Sequence, residues 1–226
     1  AKALAAEGAS VVVNYASSKS GADAVVAEIG KAGGKAVAVQ GDVSKTGDAQ
    51  AIVDAAVEHF GRLDVLVNNS GVYEFKPLED ITEEHYRKQF DVNVLGLLLT
   101  TRAAAKHLGE GASIINIGSV ITRVVPPASA VYAGSKGAVD TITAVLAQEL
   151  GPRRIRVNAV NPGLVETEGT HAAGVIGSEL EAGTKAKTPL GRIGRPQDIA
   201  SIVTFLASDD SYWVNGEQLV ASGGVR

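Results

Sequence analysis

Apolar and polar positions follow two rhythms along the chain, and each replaces the other almost without interruption. Short runs that are apolar on both faces, "SVVVNY" (10–15) and "KAVAVQGDV" (35–43), read as buried strands. Helix-periodic segments follow over 19–32 and 46–60, stopped by Gly33-Gly34 and Gly61 as helix ends should be. The same reading predicts strands over 63–71, 112–119, 154–163 and 217–222, and helices over about 83–108, 131–150 and from Pro196 to about 207. Strands separated by helices imply βαβ units and right-handed crossovers. The predicted fold is therefore α/β, a doubly wound parallel sheet with helices on both faces, in one domain over 1–226.

In such sheets ligands sit beyond the carboxyl ends of the strands. Those ends read Asn14-Tyr15, Gly41-Asp42-Val43, Asn68-Asn69-Ser70-Gly71, Gly118-Ser119 and Asn161-Pro162-Gly163. Each alone is ordinary turn chemistry. All five on one rim favour a binding site.

Composition narrows the function classes. Hydrophobic residues make up 45%, which supports a large core. A net charge of −4 with no Lys/Arg cluster argues against nucleic acid, and the apolar runs are too short to span a bilayer. Zero Cys excludes disulfides and thiolate ligands, and no His/Asp/Glu constellation suggests a metal. A cytoplasmic location is the expectation. The chain opens inside a helical pattern, "AKALAAEGAS", so a strand and loop are expected ahead of it. Residues 164–188 lack a strong period, carry four glycines and the apolar Val175, Ile176 and Leu180, and suit a substrate lid. The helical His59, His85 and His107 are expected to be solvated or capping, and His171 falls in the lid segment.

One spacing carries chemistry. Ser119 ends a strand, and Tyr132 begins the following helix with Lys136 one turn on, so all three share one rim. A Tyr near pKa ~10 is a poor acid-base group at neutral pH, and a nearby cation would lower it. Ser119 could then donate to a substrate oxygen while Tyr132 gives or takes a proton. Tyr-x-x-x-Lys alone is equally a surface pair; its placement after a Ser-ended strand favours chemistry.

Together "NNSG", "NIGS", "YAGSK" and "NAVNPG" resemble the classical short-chain dehydrogenase/reductases across residues 1–226. The resemblance implies a Rossmann-type fold, a nicotinamide cofactor and hydride transfer between a carbonyl and a secondary alcohol. It implies that Ser119 orients the carbonyl, that Tyr132 is the general acid/base, and that Lys136 binds the ribose and lowers the Tyr132 pKa. Asn93 in "FDVNVLG" is similar to the family's fourth catalytic residue; otherwise it reads as a buried helix Asn. Asn14, Asp42, Val43, Asn68 and Gly71 resemble the adenosine contacts, and Pro162, Gly163, Val165 and Thr167 the segment that pins the nicotinamide. The chain departs from the family in Ser70, where Ala is usual, and its glycine-rich phosphate loop is expected ahead of residue 1.

NAD-specific sites carry Asp or Glu at the end of the second strand of the fold. Here "NYASS" has none, and Ser17 and Ser18 could donate to a 2′-phosphate, so NADP(H) is expected with NAD(H) the alternative. The resemblance further implies a small-molecule carbonyl or alcohol substrate and a homotetramer. The rival readings are a 3-oxoacyl carrier-protein reductase, a glucose 1-dehydrogenase-like sugar dehydrogenase, and a non-catalytic nucleotide-binding protein.

Overall fold

A computed structural model describes residues 1–225. The first half runs α1 (Lys2–Ala6), β1 (Ser10–Tyr15), α2 (Lys19–Lys31), β2 (Lys35–Gln40), α3 (Thr46–Phe60) and β3 (Val65–Asn68). After a loop come α4 (Glu83–Phe90), a π-helical turn (Asp91–Leu95), α5 (Gly96–Ala104), β4 (Ser113–Ile117) and α6 (Ile121–Val124). The chain continues with α7 (Ala130–Leu150), β5 (Arg156–Pro162), α8 (Glu168–Ala172), α9 (Glu179–Lys187), α10 (Pro196–Ala207) and β6 (Gln218–Ala221).

Every strand pair is parallel. β1 pairs with β2, starting at Ser10 opposite Lys35, and β3-β4-β5-β6 form a second hydrogen-bonded group. Helices join the two groups. On one face α3 lies on β1 and β2 and packs against α5, which covers β3, while α7 covers β4 and β5. On the other, α1 touches both α2 and α10, which cover β1-β2 and β4-β5 respectively. The mixed α/β architecture with helices on both faces is the predicted one.

The core explains the continuous apolar strands. Ile114 and Val157 face one helical layer with Val53, Ala104 and Ala147, and Ile115 and Val160 face the other with Val203 and Leu206. Successive strand residues point to opposite faces, so a strand covered on both sides must be apolar at both phases. No helix among the described residues is long and apolar enough to cross a membrane.

Two predicted elements differ. The helix expected over 83–108 is interrupted by the π-helical turn and ends at Ala104. That turn adds a residue to the helical ladder, as happens at functional sites, and it carries Asn93. Residues 164–188 hold α8 and α9, capped by Thr167 and Ser178, whose hydroxyls accept from the backbone N–H groups of Thr170 and Glu181. Side-chain capping, rather than apolar period, starts these helices.

Candidate active site

Because all strands run the same way, their carboxyl ends meet on one rim, and β4 and α7 deliver the predicted trio there, joined by Asn93 from the π turn. α7 is a 21-residue helix whose Val131, Ser135, Val139, Thr143 and Ala147 are buried, so its inward face is fixed against β4 and β5. Tyr132 and Lys136 lie at its head.

Lys136 is 5% exposed, and its ammonium donates to the Ile117 carbonyl at the end of β4 at 2.8 Å. Burial lowers its pKa to about 8, and Asp140 one turn further along α7 opposes that fall. Tyr132 is pushed above its ordinary value by burial, against the pull of the Ser119 hydroxyl, with Tyr73 adding to the rise. The structure differs here from the sequence expectation that Lys136 lowers Tyr132: in the protein alone, desolvation of the phenolate outweighs the favourable contacts. Ser119 Oγ also accepts from the Ile121 N–H at 3.2 Å, which holds the hydroxyl at the start of α6.

Asn93 is buried, and its amide brackets Val72 in the loop after β3. Oδ1 accepts from the Val72 N–H at 2.8 Å, and Nδ2 donates to the Val72 carbonyl at 2.9 Å and to Ser135 Oγ at 3.0 Å. Ser135 Oγ in turn donates to the Tyr132 carbonyl at 2.7 Å. Asn93 thus ties the β3 loop to the helix turn that bears Tyr132.

Below the trio lies a polar strut that sequence reading passed over. Asp140 accepts from Asn161 Nδ2 at 2.9 Å and from Thr122 Oγ1 at 3.3 Å, and Gln218 donates to its carbonyl at 3.1 Å. Burial raises the Asp140 carboxyl, and the Asn161 and Thr122 hydrogen bonds oppose that rise. A Cβ on Gly118 would stand 1.9 Å from Asn161 Oδ1, so only glycine fits there. The available signal was spacing: Asp140 is four residues beyond Lys136, on the same helical face.

The remaining predicted residues line the same rim in mixed roles. Asn14 spends its amide on the carbonyls of Val39 and Gly41 at 3.2 and 3.0 Å. Asn68 donates to Thr101 and Asn116 at 3.0 and 2.9 Å. Asp42 accepts from the Ser44 hydroxyl and N–H, which hold its carboxyl below the usual range. Val43 lies against Gly96, whose added Cβ would meet it at 2.6 Å. A Cβ on Gly71 would approach Asn93 Oδ1 and Lys136 Nζ at 3.4 and 3.5 Å. Pro162 ends β5, Gly163 packs on Ser222, and Val165 bridges to Gly194. Ser17 is exposed, and Ser18 is the N-cap of α2 with no side-chain capping bond.

The histidines are corrected in one case. His85 is 3% exposed and lies between the Glu74 carbonyl and Gln89, because α4 packs its inward face on that loop. His171 Nε2 lies 3.1 Å from Glu166 Oε1. Among the described residues no group of three or more His, Cys, Asp or Glu could hold a metal.

A family model described as enoyl-(acyl carrier protein) reductase matches residues 1–226. The chain belongs to the classical short-chain dehydrogenase/reductase family. As a member it is an oxidoreductase. It is 69% identical over 226 residues to an uncharacterized oxidoreductase of Methylorubrum extorquens, covering 100% of this chain and 91% of that one. It is 41% identical over 230 residues to a probable tetrahydroxynaphthalene reductase of Zymoseptoria tritici, covering 97% and 86% of the two chains. A short-chain dehydrogenase of Burkholderia cenocepacia, solved in complex with NADP, superposes with a TM-score of 0.91 at 36% identity, covering 99% and 91%.

The rim of this dehydrogenase/reductase fits a nicotinamide dinucleotide. Gly71 keeps the backbone close to Lys136 Nζ, Gly96 lets the helix pack directly on Val43 and so fixes the loop after β2, and α2 begins at two serines with no carboxylate beside them.

Proposed function

We propose that the protein is an NADP(H)-dependent carbonyl reductase with Tyr132 as its general acid. The observation that carries this reading is the buried ammonium of Lys136 one helical turn from a desolvated Tyr132 that faces Ser119. NADPH, when bound, supplies the hydride. The Ser119 hydroxyl donates to the carbonyl oxygen and fixes it beside Tyr132. Desolvation keeps Tyr132 protonated and opposes its ionisation, so its proton transfer to the oxygen, as negative charge develops there, depends on groups that stabilise the phenolate. Lys136 remains mostly charged at pH 7 and stabilises the phenolate that is left. Asn93 and Ser135 hold the backbone of Tyr132 in place.

Ser17 and Ser18, at the N-terminal end of the 13-residue α2, would hold the 2′-phosphate by hydroxyl donation and the helix field. The NADP complex of the Burkholderia relative supports that choice. Asp42, Val43, Asn68 and Gly71 would flank the adenosine, and Pro162, Gly163, Val165 and Thr167 the nicotinamide. Residues 164–188 would close over the substrate as a lid, and the assembly would be a homotetramer.

The test is Tyr132→Phe, assayed by NADPH oxidation over a panel of ketones, diketones and quinones, with sugar oxidation alongside. The expected result is a fall in kcat of about 10²–10⁴-fold, the usual share of a general acid, with NADPH binding retained. Retained turnover would overturn the mechanism.

A further inference from the structure

Residues 72–76 run past the site with a strict alternation. Val72 is held by both Asn93 amide groups. The Glu74 N–H donates to Gln89 Oε1, and Gln89 Nε2 donates to the Glu74 carbonyl, each at 3.2 Å. The Lys76 N–H donates to the Ala128 carbonyl at 2.9 Å. The first two anchors are buried side chains, and the third has φ of 64°, a conformation that non-glycine residues keep only when their surroundings impose it.

With 72, 74 and 76 fixed, the side chains of 73 and 75 project beside the catalytic tyrosine. The Tyr73 and Phe75 rings lie 6.1 and 5.9 Å from that of Tyr132 and 6.2 Å from each other. They nevertheless stay 41% and 48% exposed. Tyr73 Oη donates to the Gly169 carbonyl of α8 at 3.3 Å, which joins this wall to the lid segment. The cations nearby are already paired: Lys76 and Lys88 both contact Glu74, at 3.3 and 3.0 Å.

We propose that Tyr73 and Phe75 are specificity residues that select a flat aromatic ketone, an inference resting on the carbonyl-reductase reading above. Aromatic rings associate edge-to-face or offset at centroid separations of about 4.5–7 Å. A ring whose carbonyl meets Ser119 and Tyr132 therefore comes within reach of both. The anchored backbone has already lost the freedom that binding would otherwise remove, so the contact is preorganised. An anionic substrate would find Lys76 and Lys88 engaged.

The test compares NADPH-dependent reduction of 2-tetralone with that of 2-decalone, the saturated ketone of the same skeleton. Wild-type protein is expected to favour 2-tetralone in kcat/KM by about tenfold, and the double variant Tyr73→Leu/Phe75→Leu to bring that ratio within about twofold. Phe75→Tyr, which keeps a ring, is expected to retain the ratio. Equal kcat/KM for the two ketones in the wild type, or a ratio unchanged in the leucine variant, overturns the proposal. Should neither ketone be reduced, calorimetry with 2-naphthol and decahydro-2-naphthol separates the two readings. A 2-naphthol preference that disappears in the leucine variant upholds the wall and overturns the reductase reading, and no preference overturns the wall.

Discussion

Asn161 donates its amide to the Asp140 carboxylate at 2.9 Å, and this one bond joins the end of β5 to the helix that carries Tyr132 and Lys136. Asp140 also receives Thr122 from the segment after Ser119, so the regions beyond β4 and at the end of β5 converge on a single side chain. Asp140→Leu would leave the Asn161 amide without its acceptor, while Thr122 keeps the Ser119 carbonyl at 3.2 Å, and is expected to cost about 1–3 kcal/mol of stability, read by urea denaturation. Asp140→Asn keeps the size and a single acceptor oxygen and should cost less. Either change removes the negative charge that supports the Lys136 ammonium, so the pH at which Lys136 loses its proton should move below about 8.

Gly118→Ala tests the same strut from the other side. The new Cβ would stand 1.9 Å from Asn161 Oδ1, whose side chain is buried and cannot swing aside. Overpacking of this kind costs about 1–3 kcal/mol. The melting temperature should fall by about 3–10 °C in calorimetry.

Lys136 sets a pH dependence whose sign follows from burial. Its folded-state pKa of about 8 lies below the ordinary lysine value of 10.5, so the unfolded chain holds more protons between those values. Stability from this group therefore rises as pH increases from about 8 to 10.5, and below 8 the buried charge carries its full penalty. Lys136→Met should abolish turnover yet stabilise the protein at pH 7 by about 1–2 kcal/mol, net of the lost bond to Ile117. Thermal melts at pH 7 and pH 10 should show the advantage of the variant shrinking at the higher pH.

Cofactor choice is tested at α2. Replacing both Ser17 and Ser18 by Ala removes two hydroxyl donors that would face a phosphate, and each hydrogen bond to a charged group is worth about 1.5–3 kcal/mol at most. The Kd for NADPH should rise by about 10–100-fold, while that for NADH barely moves. Fluorescence titration with both cofactors measures this. An equal loss for the two would assign the serines to the helix start instead.

Much of this protein was determined by local sequence. Strands that bury both faces carry apolar residues at both phases, and α3 begins at Thr46 and ends at Phe60 where the helical pattern and Gly61 place it. The Ser119–Tyr132–Lys136 spacing needed only the βα register to bring the three to one rim. The tertiary structure decided what depends on partners remote in the chain. The π turn at Asp91–Leu95 forms where Asn93 reaches Val72, a contact invisible to any helical period. His85, polar and on an amphipathic helix, is buried because the Glu74 carbonyl waits opposite it. The Tyr132 pKa depends on how much water the fold removes, so sequence could supply the cation but not the balance against burial. Asp140 gains its role only when Asn161 and Thr122, 21 and 18 residues away in sequence, meet it in space.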